Sequence, residues 1–138
     1  KEMGADQVVN TGKTDLEKVV MDFTNSEGVN LIFEATGSIS LFELCVSRLV
    51  SQAGRIVVLG FPEEPAKIAP IDIMKRELDI VGSRLNRNKF PEVIRWLEAK
   101  EIEPSAIISH VFPMERVKGA FRLYDEEPEK VCKIILTF

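Results

Sequence analysis

Apolar positions along the chain follow two alternating rhythms. Runs such as Val29 to Ala35 and Arg55 to Gly60 are apolar almost throughout, while other stretches carry an apolar residue every three or four positions. The first pattern predicts strands buried on both faces and the second predicts helices with one apolar stripe. Leu16, Val19, Val20 and Phe23 form such a stripe behind Thr14-Asp15-Leu16-Glu17, whose spacing predicts a capping box, and Asn25 to Gly28 ends the helix. Ser40-x-x-Glu43 predicts a second capped helix reaching about Val50, closed by Ala53-Gly54. Phe61 to Pro65 reads as a loop, Pro70 opens a short helix, and Leu78 to Arg84 is a further strand. Asn86 to Lys100 is a longer helix with Phe90, Val93, Ile94 and Leu97 on one face.

Buried-type strands separated by helices predict a doubly wound α/β fold around a parallel sheet. After Glu103-Pro104 the rhythm changes to a strand at Ala106 to Phe112, a helix at Met114 to Tyr124 and a strand at Val131 to Phe138. The expected organisation is therefore a domain over residues 1–104 and a strand-helix-strand tail over 105–138. Lys1-Glu2-Met3-Gly4 reads as the last turn of a helix with Gly4 as its C-cap, so the chain is expected to be a fragment.

With 138 residues the length suits one ordinary domain, and 45% hydrophobic with 29% charged residues is a globular composition. The net charge of −4 with scattered Lys and Arg argues against nucleic acid or an anionic membrane as partner. The longest apolar run, Ile56 to Phe61, is far short of the roughly 18 residues of a membrane helix. Two cysteines and one histidine support neither a disulfide framework nor a Cys/His zinc cluster. A reducing, cytoplasmic setting is expected, and no metal-ligating residue is assigned.

Gly37, Gly60 and Gly82 each stand at or near the carboxyl end of an expected strand. Ligands of open parallel sheets bind along that edge, and glycine lets a flat ligand approach the backbone; turn-making is the ordinary alternative. No Gly-x-Gly-x-x-Gly occurs, so the usual phosphate cradle is not encoded in these residues. Arg84 and Arg87 could reach a substrate oxygen or a cofactor phosphate, or simply be solvated. Lys133 could meet a phosphate or protect an edge strand. His110 in its strand reads as a hydrogen-bonded structural residue, since acid–base work needs an oriented partner. Cys45 reads as packing, and Phe121, Leu123 and Tyr124 as core or interface. Glu34, interrupting a buried strand, is either a positioned carboxylate or the partner of a nearby Arg or Lys. No triad or carboxylate pair occurs, so no catalytic residue is assigned.

Several blocks nevertheless resemble the second half of the zinc-type medium-chain alcohol dehydrogenases. They are Gly4-Ala5-Asp6-x-Val8-Val9-Asn10, Asn30 to Gly37 (NLIFEATG), Gly54 to Gly60 (GRIVVLG), Glu77 to Arg84 (ELDIVGSR), Ile108 to Pro113 (ISHVFP) and Lys133 to Phe138 (KIILTF). They follow one another in family order and spacing, and Gly82-Ser83-Arg84 is most similar to the polyol, sugar-acid and threonine dehydrogenase branch.

The resemblance implies a Rossmann sheet of order 3-2-1-4-5-6, of which this chain supplies strands 3 to 6. It implies NAD or NADP as cofactor, an alcohol or polyol as substrate, and a catalytic zinc in an N-terminal domain outside these residues. Cofactor-lining positions would be Ala35, Thr36, Gly37, Leu59, Gly60, Phe61, Ser83, Arg84 and Leu85, with Lys133 near the pyrophosphate. Strand 4, at Val29 to Ala35, is expected to expose an apolar edge, covered by the first strand, another chain or residues 1–14. Strand 6, at Leu78 to Arg84, is expected to join a second copy in a homodimer. The isolated chain is expected to be inactive. A zinc-free quinone or enoyl reductase of the same superfamily and a non-catalytic α/β interaction module are the competing readings.

Overall fold

A computed structural model describes residues 4–84 and 86–138. They form two compact units, Lys1–Arg87 and Asn88–Phe138. The first contains helix α1 (Leu16–Phe23), strand β1 (Val29–Glu34), helix α2 (Ile39–Leu44), a π-helical turn (Cys45–Leu49), strand β2 (Val50–Val58), helix α3 (Pro70–Lys75) and strand β3 (Asp79–Gly82). The strands lie in the order β1-β2-β3, all parallel. Helices intervene between successive strands, as the α/β expectation requires, because parallel neighbours need a crossover connection.

The core of this unit is Cys45, Val46, Leu49, Val50, Ile56 and Leu78, with Ile56 completely buried in the middle of the central strand. Leu16 and Val20 of α1, Leu41, Phe42 and Leu44 of α2 and Ile73 of α3 pack against it. Of the stripe read over residues 16–23, Leu16, Val19 and Val20 are half-buried while Phe23 stays exposed, and of the stripe read over residues 90–97 only Val93 is half-buried, Phe90, Ile94 and Leu97 being exposed.

Both helix starts differ from the capping-box expectation. The N-cap of α1 is Asp15, whose Oδ1 accepts from the backbone N–H of Lys18 at 3.2 Å, while the backbone N–H of Thr14 closes a turn onto the carbonyl of Asn10. Ser38 caps α2, accepting from the N–H of Leu41. Glu43, the expected partner of Ser40, instead accepts from the N–H of Lys67 at 2.6 Å. Each helix begins where a side-chain oxygen reaches an orphan N–H, and a carboxylate engaged 24 residues away cannot also close a box.

Strand β2 begins at Val50, five residues before the expected start. Val29 pairs with Val50 but Leu31 pairs with Arg55, so residues between them form an irregular bulge. Ala53 takes φ 51° there, and its N–H is satisfied by the carbonyl of Arg76. A break in one strand's ladder is held by a partner from another element.

Four strands were expected in this sheet, and among the described residues it has three, residues 4–15 ahead of α1 pairing with no strand. A strand 3 in the order 3-2-1-4-5-6 would lie beside strand 2, and none of the three observed strands takes that place. Among the described residues β1 pairs with β2 alone, and Leu31 and Phe33 along it are 49% and 62% exposed.

The second unit contains helix α4 (Phe90–Glu98), strand β4 (Ile108–Pro113), helix α5 (Val117–Glu126) and strand β5 (Lys133–Thr137), with 3-10 turns before β4, α5 and β5. β4 and β5 pair in parallel around α5, the expected strand-helix-strand tail. Ala120 of α5 is buried. No helix among the described residues is long and apolar enough to cross a membrane.

Candidate functional site

Parallel pairing puts Glu34, Val58 and Gly82 level with one another across the first unit's sheet. The three strands therefore release their chains at one rim. Beyond the last pairs the rim is knit by backbone hydrogen bonds. Leu59 and Gly60 both donate to the carbonyl of Glu34, at 2.7 and 3.0 Å, and Ser83 donates to the carbonyl of Val58 at 2.9 Å.

The loops above these bonds touch. Gly37 takes φ 71°, and a Cβ on Gly60 would lie 2.3 Å from the backbone nitrogen of Gly37. Only glycine at position 60 permits that approach. On the far side the Arg84 guanidinium lies 5.5 Å from the centre of the Phe61 ring, a cation–π arrangement. Gly82 faces open space, with nothing within 4 Å of where a Cβ would stand. The rim is thus continuous from Thr36 through Gly60 and Phe61 to Arg84.

Beneath the Thr36–Gly37 turn sits Glu34, only 2% exposed. Its Oε1 accepts from the Thr36 N–H at 2.7 Å, from the Thr36 hydroxyl and from the Gly37 N–H at 3.0 Å. Its Oε2 is buried without a hydrogen-bond partner among the described residues and stands against Gly60. No Arg or Lys stands among these partners, whose place is taken by the backbone and the Thr36 hydroxyl of the following turn. That partnership is local, and Glu-x-Thr-Gly is the sequence signal that could have shown it. Burial, reinforced by the nearby negative charge of Glu34, pushes the Cys45 thiol from 9.0 up to about 11.

Two clefts border the turn. One of about 630 Å³ is lined by Thr36, Ser38, Ser40 and Leu41 together with Asp15 and Leu16. The other, of about 770 Å³, is lined by Gly37, Ser40, Glu43, Phe61, Pro62 and Lys67. Neither was legible in the sequence, because each joins loops far apart along the chain.

Of the residues singled out from the sequence, Ala35, Thr36, Gly37, Leu59, Gly60, Phe61, Ser83 and Arg84 all belong to this rim or to the loops leaving it. Leu85 lies outside the described residues. Lys133 opens β5 in the second unit, opposite Ile108. Arg87 is exposed. His110 stacks on Phe112 with ring centres 6.3 Å apart, and its Nδ1 is buried without a partner among the described residues. The hydrogen bond expected of it is not found at Nδ1 among the described residues. Among the described residues no group of three or more His, Cys, Asp or Glu side chains could hold a metal ion.

Comparison with known proteins agrees with this architecture. The chain is 39% identical over its whole length to the starvation-sensing protein RspB of Escherichia coli strain K12, covering 40% of that protein. It is 30% identical, over 88% of its length, to L-threonine 3-dehydrogenase of Bacillus licheniformis, covering 36% of that protein. It superposes on the rspB protein of Escherichia coli CFT073, described as a short chain alcohol dehydrogenase complexed with NADH. The TM-score is 0.91 at 37% identity, over 99% of this chain and 40% of that one. The chain thus spans about 40% of the length of these relatives. Residues 1–99, more than two thirds of the chain and including every loop of the rim, match the family model described as zinc-binding dehydrogenase. The chain belongs to the zinc-binding dehydrogenase family.

Proposed function

We propose that the first unit forms the nicotinamide-facing rim of an NAD- or NADP-dependent oxidoreductase acting on an alcohol or polyol. The observation that carries this reading is the single rim of three parallel strands, closed by glycine-to-glycine contact at Gly37 and Gly60 and left open at Gly82. The carboxyl edge of a parallel sheet is where ligands of such folds bind, and the structure with TM-score 0.91 is an NADH complex.

The residues fit a flat ring. Gly82 allows close approach because no side chain stands over its backbone. Leu59 and Phe61 present exposed apolar surface that would exclude water from one side of a ring. Arg84, fixed over Phe61, offers N–H donors to an oxygen of the substrate or cofactor. When bound, the nicotinamide supplies the site that exchanges hydride. The described residues contain no cluster fitting the family's zinc.

The edge of β3 that pairs with no strand among the described residues is the surface we assign to a second copy of the chain. A monomeric mass by light scattering of the whole gene product at high concentration would contradict that assignment.

The test of function is a turnover screen of the whole gene product, supplied with zinc, against polyols and simple alcohols with NAD and NADP separately. Nicotinamide reduction with a polyol is the expected result. Failure with every alcohol and both nucleotides would overturn the reading.

A further inference from the structure

Among the described residues Glu34 is the one buried carboxyl group at this rim, and the cofactor reading gives it no contact with ligand. Its surroundings show what it does instead. One oxygen collects three donors, all from Thr36 and Gly37, so the turn is drawn down onto the end of β1. The main-chain carbonyl of the same residue collects the N–H groups of Leu59 and Gly60. Glu34 therefore gathers both neighbouring loops, its side chain holding one and its backbone the other.

The height of the Gly37 turn matters because of what rests on it. Gly60 meets Gly37 backbone to backbone, and the nitrogen of Phe61 lies 3.4 Å from where a Cβ of Gly37 would be. Phe61 in turn carries the Arg84 guanidinium. A turn released from Glu34 would shift a surface packed at contact distance across two loops, and close-packed contacts pass on such shifts rather than absorb them. A carboxyl oxygen suits this task, since it has more than one lone pair with which to accept several donors at once.

Resting on the cofactor reading above, we propose that Glu34 is a positioning residue for the nicotinamide half of the cofactor. It acts through the Thr36–Gly37 turn without touching the ligand.

The experiment measures binding to the whole gene product by calorimetry with two probes. These are NADH and ADP-ribose, which lacks the nicotinamide ring. Glu34→Gln keeps an acceptor oxygen for the turn, and Glu34→Ala keeps none. In Glu34→Ala the Kd for NADH is expected to rise about tenfold, and in Glu34→Gln about threefold. Both variants are expected to bind ADP-ribose as the parent does. Should Glu34→Ala fail to fold, Glu34→Gln carries the same contrast. Unchanged NADH affinity in Glu34→Gln and in any folded Glu34→Ala, or a parallel loss of both probes, overturns the proposal, because a merely structural role would weaken both. A parent protein that binds neither probe overturns the cofactor reading itself, and this inference with it.

Discussion

The backbone nitrogen of Gly37 lies 2.3 Å from the position a Cβ of Gly60 would take, so the loops after β1 and β2 meet main chain to main chain. A real Cβ cannot occupy that point, and one of the two loops must move. Gly60→Ala is expected to cost about 1–3 kcal/mol of stability through overpacking and to weaken NADH binding. Gly82→Ala is the control, since its Cβ meets nothing within 4 Å. It is expected to change stability by less than about 0.5 kcal/mol while weakening NADH binding. Denaturant unfolding and nucleotide titration of both variants check the contrast; equal stability losses would contradict it.

The start of α1 supports a second prediction. Asp15→Ala removes the side-chain acceptor of the Lys18 N–H and is expected to cost about 1 kcal/mol. Thr14→Ala is expected to be near neutral, because Thr14 enters its turn through its backbone. The ranking is read from urea midpoints. A larger loss at Thr14 would restore the capping box expected from the sequence.

Cys45 gives a dependence on pH. With its thiol raised from 9.0 to about 11, the folded chain keeps this proton between those values while the unfolded chain loses it. Stability therefore falls as pH rises from 9 toward 11. Cys45→Ala is expected to show a shallower fall over that window, measured by denaturant titration at successive pH values. Identical slopes would rule out the linkage.

The chain of 138 residues, prepared alone, is expected to bind NADH weakly and to oxidise no alcohol. Its sequence contains no Gly-x-Gly-x-x-Gly, and its described residues hold no metal-ligating cluster. Calorimetry giving micromolar affinity, or any measured turnover, would refute this.

Much of the rim was legible beforehand because its signals are local. Glycines following buried-type strands marked Gly37, Gly60 and Gly82, and parallel pairing then placed them at one edge. What stayed hidden depends on partners far along the chain. The early start of β2 needs Arg76 to satisfy the N–H of Ala53, and the loss of the second capping box needs Lys67 to occupy Glu43. Glu34 is the instructive exception: its partners are two and three residues away, yet a buried strand-end acid reads equally well as half of an ion pair.

Apolar periodicity and turn residues by themselves determined the α/β class, the order of helices and strands and the strand-helix-strand tail, since burial and backbone preference act on each segment independently. Only the tertiary structure decided which donors Glu34 satisfies, where β2 breaks its ladder, and that Gly60 presses on Gly37 while Arg84 lies over Phe61. Those outcomes depend on distances between segments, which a one-dimensional pattern of hydrophobicity does not contain.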